Sequence, residues 1–355
     1  MKKIAILLHG LGANGIDTLF ANLSKKWDYE KYEITYLMAV DESAKQFWED
    51  EVTANGVRVV HLHDLDKGRL KKWPLTLYKA FKKYGPFDAV HVNMDMLNGL
   101  NLMVAKYARI PVRVCHAHNS SSENAGRRVK QAYIALMRKM IRHYATECVA
   151  CSDEAGEYFF PNTKYVTVFN GIDIDKYRKN EVRQEKISNT FVTVGRFTPQ
   201  KNPFFLLDVF CKISNRLPNA RLRWIGTGQM FEKVKEKAEE YGVSEKIDFM
   251  GTRSDVDEIL KQSDYFLFPS LFEGFGIALV EAQAADLDCF VSATVPMIAD
   301  CGKCKYISLE KTPSEWAEEI VAYIQGDCRM EIMDELLSQF DIEQMARKLE
   351  VLYSK

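Results

Sequence analysis

Long apolar runs are missing from this sequence of 355 residues. None approaches the ~18 residues that a membrane-spanning helix requires. The first residues, MKKIAILLHGLG, begin like a signal peptide. They lack a small-residue cleavage site and run straight into a glycine-bearing turn, so they predict a first buried strand. We therefore expect a cytoplasmic protein.

An excess of either charge is also missing. Lys and Arg total 48, Asp and Glu total 49, and the formal net charge is −1. A general nucleic-acid binder needs a basic surface, so this balance argues against nucleic acid as a partner. The hydrophobic (47%) and charged (27%) fractions are those of an ordinary soluble globular chain.

Cysteine is scarce, with eight residues in the chain. Cys148-Val-Ala-Cys151 and Cys301-Gly-Lys-Cys304 have the C-x-x-C spacing that zinc sites use. The first pair lies in a strand-like run, where burial accounts for small thiols, and the second pair fits a knuckle turn. Thiols stay reduced in the cytoplasm, and we expect no zinc site.

Two other ligand signatures are incomplete. Gly226-Thr-Gly228 is a lone G-x-G, without the rest of a dinucleotide-binding fingerprint. The Asp-x-Asp spacing with which some enzymes hold Mn²⁺ or Mg²⁺ occurs at 64–66, 173–175, 255–257 and 286–288. Several unrelated copies indicate chance, so we expect neither a metal nor another cofactor.

Strand-like and helix-like segments alternate along the whole chain, which predicts parallel sheets built from βαβ units. The length exceeds the ~250–300 residues at which single cores stop growing, so two domains are expected. The alternation lapses in a charged segment, 170–189, which is the candidate connection. We predict an α/β chain of two doubly wound Rossmann-like domains, 1–169 and 170–337, facing each other across a cleft.

The segments that support this prediction are as follows. Strands are predicted at 4–8, 32–39, 57–62, 89–92, 112–115, 148–151, 165–168, 191–194, 222–225, 247–250 and 265–268. Helices are predicted at 17–26, 73–84, 127–144, 203–216, 229–241, 255–262 and 341–353.

The rest of the chain is organised around residues 269–285, PSLFEGFGIALVEAQAA. A buried strand precedes this stretch, and a helix begins near Ile277. A glycine-loosened loop at a helix start offers unpaired N–H groups and the positive end of the dipole, which suit phosphate. Glu273 and Glu281 would repel phosphate, but a carboxylate accepts two hydrogen bonds from a sugar diol. Together these features indicate a nucleotide-sugar site; a βα loop with two solvated Glu residues is the alternative.

Two cations follow the first strand of the second domain, in the run FVTVGRFTPQKN. Gly195 ends the strand, and Arg196 and Lys201 lie in the loop after it. A diphosphate leaving group gains charge as its bond breaks, so cations placed there favour the transition state. The alternative is two ordinary surface cations.

The ordered set of motifs resembles the retaining, nucleotide-sugar-dependent glycosyltransferases of family 4, which have the GT-B fold. The resemblance covers nearly the whole chain. The segments GRFTPQKN and EGFGIALVEAQAA most resemble those of the branch that builds bacterial capsular polysaccharides and exopolysaccharides. The motifs are Asn14-Gly15, His116-Ala-His118-Asn119, Asn170-Gly171-Ile172-Asp173, Gly195-Arg196 with Lys201, Phe249-Met-Gly251 and Glu273 with Glu281.

The resemblance implies a role for each matched residue. Arg196 and Lys201 bind the diphosphate, Glu281 binds the ribose hydroxyls, and Glu273 contacts the donor sugar. Amides of Gly274, Phe275, Gly276 and Ile277 contact sugar and phosphate. The backbone near Gly251 and Arg253 reads the base edge, and Gly15 lets a first-domain loop approach the diphosphate. The family also implies that the chain returns at its end, so that a helix at about 338–355 packs on the first domain through Ile342, Met345, Leu349 and Leu352.

Three positions depart from the family pattern. Asn202-Pro203 stands where a small Gly often follows the Lys, and Asp286-Leu287-Asp288 replaces a usual Gly-Leu-Pro. Gly276 stands where Pro is frequent. None removes a charged group, so these departures bear on donor specificity rather than on activity.

The family places a histidine near the transferred sugar, at the last residue before a loop. His118 fits that place, and His116 is a rival, since a strand period of two puts both on one face. The alternative is a packed or solvated histidine.

Helix 126–145, GRRVKQAYIALMRKMIRHYA, carries a stripe of Val129, Tyr133, Leu136, Met140 and Tyr144 among basic residues. Such a helix can lie on an anionic bilayer. The alternative is a core-facing helix with a solvated face.

These features predict a metal-independent glycosyltransferase that moves a sugar from a UDP-sugar to a lipid-linked or saccharide acceptor, at the inner face of the plasma membrane. Two alternatives stay open: a UDP-sugar 2-epimerase of the same fold, and a non-catalytic sugar-nucleotide-binding partner of a transferase.

Overall fold

The computed structural model describes residues 1–41, 43–63, 65, 70–119, 128–178, 189–326 and 329–355. The chain forms two compact units. The first comprises Met1–Gly171 together with Ile342–Lys355, and the second comprises Ile172–Asp341. Among the described residues, no helix has the length and apolar character needed to cross a membrane.

The first unit is a seven-stranded parallel sheet in the order β3-β2-β1-β4-β5-β6-β7. β1 is an interior strand of this sheet, and its residues Ile4 to Leu8 are 0–1% exposed. Its strands are β1 Lys2–Leu8, β2 Tyr32–Met38, β3 Arg58–His61, β4 Ala89–Val92, β5 Val112–Ala117, β6 Glu147–Ala150 and β7 Val166–Thr167. Its helices are α1 Gly15–Leu23, α2 Glu49–Ala54, α3 Trp73–Tyr84, α4 Asn98–Tyr107, α5 Arg128–Tyr144 and α6 Asp153–Phe159.

The second unit is a six-stranded parallel sheet in the order β10-β9-β8-β11-β12-β13. Aromatic side chains such as Phe191, Phe210 and Trp316 fill the core on one face of this sheet. Its strands are β8 Thr190–Val194, β9 Arg221–Ile225, β10 Ile247–Gly251, β11 Tyr265–Phe268, β12 Asp288–Ser292 and β13 Cys304–Ile307. Its helices are α7 Ile174–Tyr177, α8 Pro203–Arg216, α9 Phe231–Glu240, α10 Val256–Lys261, α11 Ile277–Ala284, α12 Pro313–Gln325 and α13 Asp334–Ser338.

The final helix, α14 Ile342–Tyr353, is part of the first unit. Its apolar face is buried: Ile342, Met345, Leu349 and Leu352 are at most 5% exposed. Polar contacts fix it further, since Glu350 Oε1 accepts the backbone N–H of Asp28 at 3.0 Å.

The described helices and strands follow the predicted alternation, and the predicted bounds at 73–84, 89–92, 203–216 and 265–268 match. Eight of the described elements were not predicted: α2, α4, α6, α7, α12, α13, β12 and β13. Asp288 is the first residue of β12, and Cys304 is the first residue of β13. The predicted turn at Cys301–Cys304 therefore leads directly into a strand.

The basic helix also differs from its prediction. Residues 126–127 lie outside the described part, and α5 begins at Arg128. The predicted apolar stripe is not the buried face, because Val129 is 84%, Tyr133 41% and Leu136 53% exposed. The helix instead buries Ile134, Met137 and Ile141. Its exposed side therefore carries both apolar and basic side chains.

Candidate functional site

Two loops of the second unit meet where the strand order of its sheet reverses. β8 comes first in this sheet, and it lies between β9 and β11. The loop after β8 carries Arg196 and Lys201, and the loop after β11 carries Glu273. A depression there is lined by both loops, including Gly195 and Ser270. Open parallel sheets bind ligands outside the carboxyl ends of their strands at such a switch point.

Lys201 and Glu273 form an ion pair in this depression. Lys201 Nζ lies 2.7 Å from Glu273 Oε1 and 4.6 Å from the centre of the Phe268 ring. The Glu273 side chain is 7% exposed and the Lys201 side chain 21%. Arg196 is exposed and forms no ion pair with any described residue. The site thus contains one cation in an ion pair, Lys201, and one exposed cation, Arg196.

The second loop turns sharply into α11. Gly276 precedes the helix with φ +90°, a conformation that L side chains rarely adopt. Its left-handed turn brings Ile277 into the first turn of an eight-residue helix. The first N–H groups of α11 have no acceptor within the helix, and the helix dipole favours an anion at this end.

Glu281 lies one turn into α11 and is 8% exposed. Its Oε1 accepts a hydrogen bond of 2.7 Å from the hydroxyl of Tyr177 on α7. Burial raises the pKa of Glu281, while this hydrogen bond and nearby Lys176 act in the opposite direction. The carboxylate is therefore held in one orientation before any ligand arrives.

The strand β10 ends at Gly251 in the left-handed region, with φ +63°. Arg253 follows, and its guanidinium binds Asp255 through two hydrogen bonds of 2.8 and 2.6 Å. That pairing occupies the Arg253 side chain, and the Gly251 carbonyl accepts from the Gly226 N–H at 2.8 Å.

In the first unit, β1 is followed by a loop that is closed by a cap. Asn14 caps α1, which begins at Gly15, and its side chain accepts from the Asp17 N–H at 3.1 Å. Asp17 in turn accepts from the Gly12 N–H at 2.8 Å. The Gly15 region is thus an ordered helix start at the carboxyl edge of β1.

His118 directly follows β5, and it is 6% exposed. Its Nδ1 lies 3.1 Å from Asn170 Oδ1, and its Nε2 lies 3.0 Å from Asn93 Oδ1. Burial lowers the pKa of His118 to about 4, so the ring is neutral at pH 7 and carries one N–H. It therefore donates to one Asn and accepts from the amide of the other.

His118 is the end of a buried row of imidazoles. The His116 and His118 ring centres are 4.0 Å apart, so the prediction that both lie on one face is confirmed. His116 Nδ1 lies 3.1 Å from His91 Nε2, and His91 Nδ1 lies 2.7 Å from the Tyr353 hydroxyl. His116 is 1% exposed, which places it inside the unit, behind His118.

Comparison with known proteins decides the family. Residues 13–176 match the family described as Glycosyltransferase Family 4, and residues 173–335 match the family described as Glycosyl transferases group 1. The chain belongs to glycosyltransferase family 4.

Individual relatives of this family 4 glycosyltransferase are 28% identical to it. EpsF of Bacillus subtilis, a glycosyltransferase by name, aligns over 99% of the chain and 96% of its own length. The capsular polysaccharide biosynthesis glycosyltransferase CapH of Staphylococcus aureus aligns over 86% of both. The Escherichia coli UDP-Gal:α-D-GlcNAc-diphosphoundecaprenol α-1,3-galactosyltransferase aligns over 61% of the chain and 60% of its own length.

A solved structure shares the architecture. Anabaena HepE in complex with UDP and glucose superposes with a TM-score of 0.81 over 100% of both chains, at 16% identity. The two parallel-sheet units are those of the GT-B fold.

Backbone conformation accounts for the three departures of this glycosyltransferase from the family pattern. Asn202 has φ 52° and Asp286 has φ 61°, in the left-handed region that Gly takes freely and that Asn and Asp tolerate best among other residues. Gly276 at φ +90° cannot be Pro, whose ring fixes φ near −65°. Asn202 and Asp286 can therefore adopt the backbone conformation that Gly would adopt. Gly276 begins α11 with a backbone conformation that Pro cannot adopt.

Two of the Asp-x-Asp pairs of the glycosyltransferase, 255–257 and 286–288, are engaged by cations. Asp255 binds Arg253, Asp257 Oδ1 lies 3.0 Å from Lys176 Nζ, and Asp286 and Asp288 share Lys303. The pair at 64–66 lies outside the described residues. In the described part, no group of three or more His, Cys, Asp or Glu side chains is placed to hold a metal.

Three of the four C-x-x-C thiols are buried, and the Cys304 thiol is half-buried. Burial raises the pKa of Cys148, Cys151 and Cys301 to about 12, so these thiols stay protonated. Cys304 pairs in register with Cys289 across β12 and β13. The glycine of the lone G-x-G has a packing role: a Cβ on Gly226 would lie 2.0 Å from the Gly195 carbonyl oxygen.

The sequence analysis did not identify the residues that fix Glu281 and His118 in position. Tyr177 holds Glu281, and Asn93 and Asn170 flank His118. Asn170 lies in the Asn-Gly-Ile-Asp motif, which was a usable signal. Tyr177 and Asn93 carry no motif, and their contacts span 104 and 25 residues of sequence.

Proposed function

We propose that the protein transfers a sugar from a UDP-sugar, with retention of anomeric configuration, to a lipid-linked or saccharide acceptor in the synthesis of a capsular polysaccharide, exopolysaccharide or similar cell-surface glycan. The observation that carries the proposal is the depression at the switch point of the second sheet, which Arg196 and Lys201 line and where Lys201 pairs with Glu273. Glu281 lies on α11, the helix that follows the loop of Glu273. The cations at this edge of the sheet match the diphosphate of a nucleotide sugar. The buried carboxylates match the hydroxyl groups of the ribose and of the sugar, which flank the diphosphate.

Each side chain has a task in this reaction. When the bond between the sugar C1 and the diphosphate oxygen breaks, the leaving UDP gains negative charge. Arg196, Lys201 and the N–H groups before α11 stabilise that charge. Glu273 exchanges its partner, from Lys201 to donor-sugar hydroxyls, as the diphosphate takes over the cation. His118, neutral at pH 7, exchanges its contact with Asn93 or Asn170 for the sugar, to which it donates a hydrogen bond without transferring a proton.

The donor and acceptor classes have support from the relatives. The name of the E. coli relative gives UDP-Gal as donor and a diphosphoundecaprenol-linked acceptor, CapH is named for capsular polysaccharide synthesis, and the HepE complex contains UDP and glucose. The exposed face of α5 supports an acceptor in a membrane: Val129, Tyr133 and Leu136 are exposed beside basic residues. We place the protein in the cytoplasm, at the inner face of the plasma membrane.

The test is an assay of UDP release from a panel of UDP-sugars, with and without polyprenyl-diphosphate-linked saccharides. Release that requires acceptor, with a new glycosidic bond of the donor's anomeric configuration by NMR, is expected. Release without acceptor would indicate the 2-epimerase or a hydrolase. Tight UDP binding without any turnover would indicate a binding partner of another transferase.

Metal independence is part of the proposal. Because Arg196 and Lys201 supply positive charge to the diphosphate, we expect EDTA to leave the acceptor-dependent rate unchanged. A strict requirement for Mn²⁺ or Mg²⁺ in the same assay would show that the cations do not suffice, and would return attention to the Asp pair at 173–175.

A further inference from the structure

Tyr177 is a buried tyrosine that ends the short helix α7, and its hydroxyl reaches a carboxylate of the candidate site. The residue is 4% exposed, and its O–H donates to Glu281 Oε1 at 2.7 Å. Burial and the adjacent Glu281 carboxylate raise the pKa of the Tyr177 hydroxyl well above its ordinary range. The hydroxyl therefore stays protonated and acts only as a donor to Glu281.

The helix that carries Tyr177 is itself fixed within the second unit. The Ile172 N–H donates to the Phe340 carbonyl at 2.7 Å, just before the helix. Lys176 Nζ lies 3.0 Å from Asp257 Oδ1 on α10, whose side chain is 8% exposed. These contacts hold α7 against α10 and α11, so the Tyr177 hydroxyl is a fixed point for the carboxylate.

We propose that Tyr177 is a positioning residue for the nucleotide ribose: by holding Oε1 of Glu281, it fixes the carboxylate plane and presents Oε2 to a ribose hydroxyl. The inference rests on the proposed function, since it takes the UDP moiety as the ligand of this site. Among the described residues, Oε2 makes no hydrogen bond and is left for a ligand. A pre-oriented acceptor binds its donor without first losing side-chain freedom.

Tyr177 has a second consequence for the charge of Glu281. Burial and Asp257 on α10 raise the pKa of Glu281, whereas Tyr177 and Lys176 on α7 lower it. Removal of the Tyr177 hydroxyl therefore raises that pKa further. A protonated Glu281 accepts hydrogen bonds poorly, so UDP affinity is then lost at a higher pH than in the wild type.

Isothermal titration of UDP, 2′-deoxy-UDP and 3′-deoxy-UDP tests the proposal. The deoxy analogue that the wild type binds more weakly identifies the hydroxyl that Glu281 reads. Tyr177→Phe keeps the ring and is expected to weaken UDP binding about 5–10-fold, the value of one hydrogen bond. It leaves the affinity for that analogue unchanged. When Glu281→Gln is already present, adding Tyr177→Phe is expected to leave the UDP affinity unchanged. In steady-state turnover, Tyr177→Phe alone is expected to raise KM more than it lowers kcat.

Two more variants separate positioning from folding. Tyr323→Phe is the matched control, because the Tyr323 hydroxyl lies 3.1 Å from Asp288 Oδ2 at the opposite end of the strands. It is expected to leave UDP affinity unchanged. A ring-fluorinated tyrosine at position 177 has the same shape and is a stronger hydrogen-bond donor. It is expected to lower the pH below which UDP affinity is lost (the acid limit), whereas Tyr177→Phe raises that pH.

The outcomes distinguish this inference from the proposed function. A wild-type chain that binds no UDP overturns both. A wild-type chain that binds UDP, while Tyr177→Phe changes neither UDP affinity nor its acid limit, overturns the positioning role alone. Equal weakening of UDP and the deoxy analogue would show a merely structural role and would also overturn it.

Discussion

At the scale of single residues, the charged groups Lys201, Glu273 and Glu281 of the site have protein partners. Lys201 is paired with Glu273 and lies over Phe268, and Glu281 is held by Tyr177. A buried carboxylate without a partner is costly, and these contacts remove that cost until substrate replaces them. Arg196, which is exposed, is the cation that a diphosphate meets without displacing a described partner.

The Lys201 side chain gives the first prediction. We expect Lys201→Ala to lower kcat/KM about 100-fold, ~3 kcal/mol of lost transition-state stabilisation, because the charge on the leaving diphosphate loses a close partner. Lys235→Ala, on the exposed side of α9, is the control and should leave kcat/KM unchanged. Steady-state kinetics of acceptor-dependent UDP release make the comparison. Near-normal turnover of Lys201→Ala would mean that the diphosphate lies elsewhere.

The identity of the charged site residues could be predicted from the sequence, but their pairing could not. Arg196 and Lys201 follow a recognisable strand, and the spacing of Glu273 and Glu281 fits a loop and a helix turn. The Lys201–Glu273 contact spans 72 residues, and no local periodicity reports it. His118 was separable from His116 only by the family pattern; burial and neighbours distinguish them in the structure.

At the scale of elements, a buried ion pair explains why two strands were missed. Lys303 is 2% exposed and Asp288 is fully buried, with 3.2 Å between Nζ and Oδ1. Lys303 Nζ also lies 2.6 Å from Asp286 Oδ1. Asp288 begins β12, and Lys303 directly precedes β13, so charged residues interrupt the apolar pattern by which buried strands are recognised. The wholly apolar strand Tyr265–Phe268 was predicted with its bounds.

This ion pair gives a stability prediction. Lys303→Met removes the nearer cation of the buried Asp288 and leaves the more distant Arg329, whose Nε lies 3.9 Å from Oδ2, so it should lower the free energy of unfolding by about 3 kcal/mol. Lys237→Met is the matched control, because Lys237 and Glu240 form an exposed pair of the kind worth at most ~1 kcal/mol. Urea unfolding followed by tryptophan fluorescence measures both.

A compensating change sharpens the same test. Lys303→Met combined with Asp288→Leu removes both charges and should recover most of the lost stability, since an apolar pair of similar volume replaces a buried ion pair at little cost. Equal stability of Lys303→Met and Lys237→Met would contradict the assignment of this pair to the core.

At the scale of the whole molecule, one short segment serves both units. Asn170 contacts His118 in the first unit, and Tyr177 contacts Glu281 in the second. The sequence predicted a connection here from a lapse in the alternation. Part of it, residues 179–188, lies outside the described structure. What the sequence could not indicate is that residues beside the connection hold a candidate site residue of each unit.

The two units also differ in how their stability depends on pH in the acidic range. All seven histidines precede residue 144, so the second unit contains none. In the first unit, burial lowers the pKa of His91 to about 3 and that of His118 to about 4, and His116 is lowered well below its ordinary value. In the second unit, burial raises the pKa of Glu281, which acts in the opposite sense.

The last prediction follows from the sign of these shifts. A histidine whose pKa is lower in the folded state binds its proton more readily when unfolded, so stability is present above the unfolded pKa of ~6.5 and is lost as pH falls towards the folded value. For His118 the loss between pH 7.5 and pH 5 is about 2 kcal/mol, and His91 and His116 act in the same direction. We therefore expect hydrogen exchange of β4 and β5 to rise steeply over this window, while exchange of β8 and β11, after correction for the intrinsic pH dependence, stays constant. His91→Gln should flatten the response of the first unit, whereas His143→Gln, on the exposed side of α5, should not. If both units lost protection together between pH 6.5 and pH 5, the buried imidazole row would not be the cause.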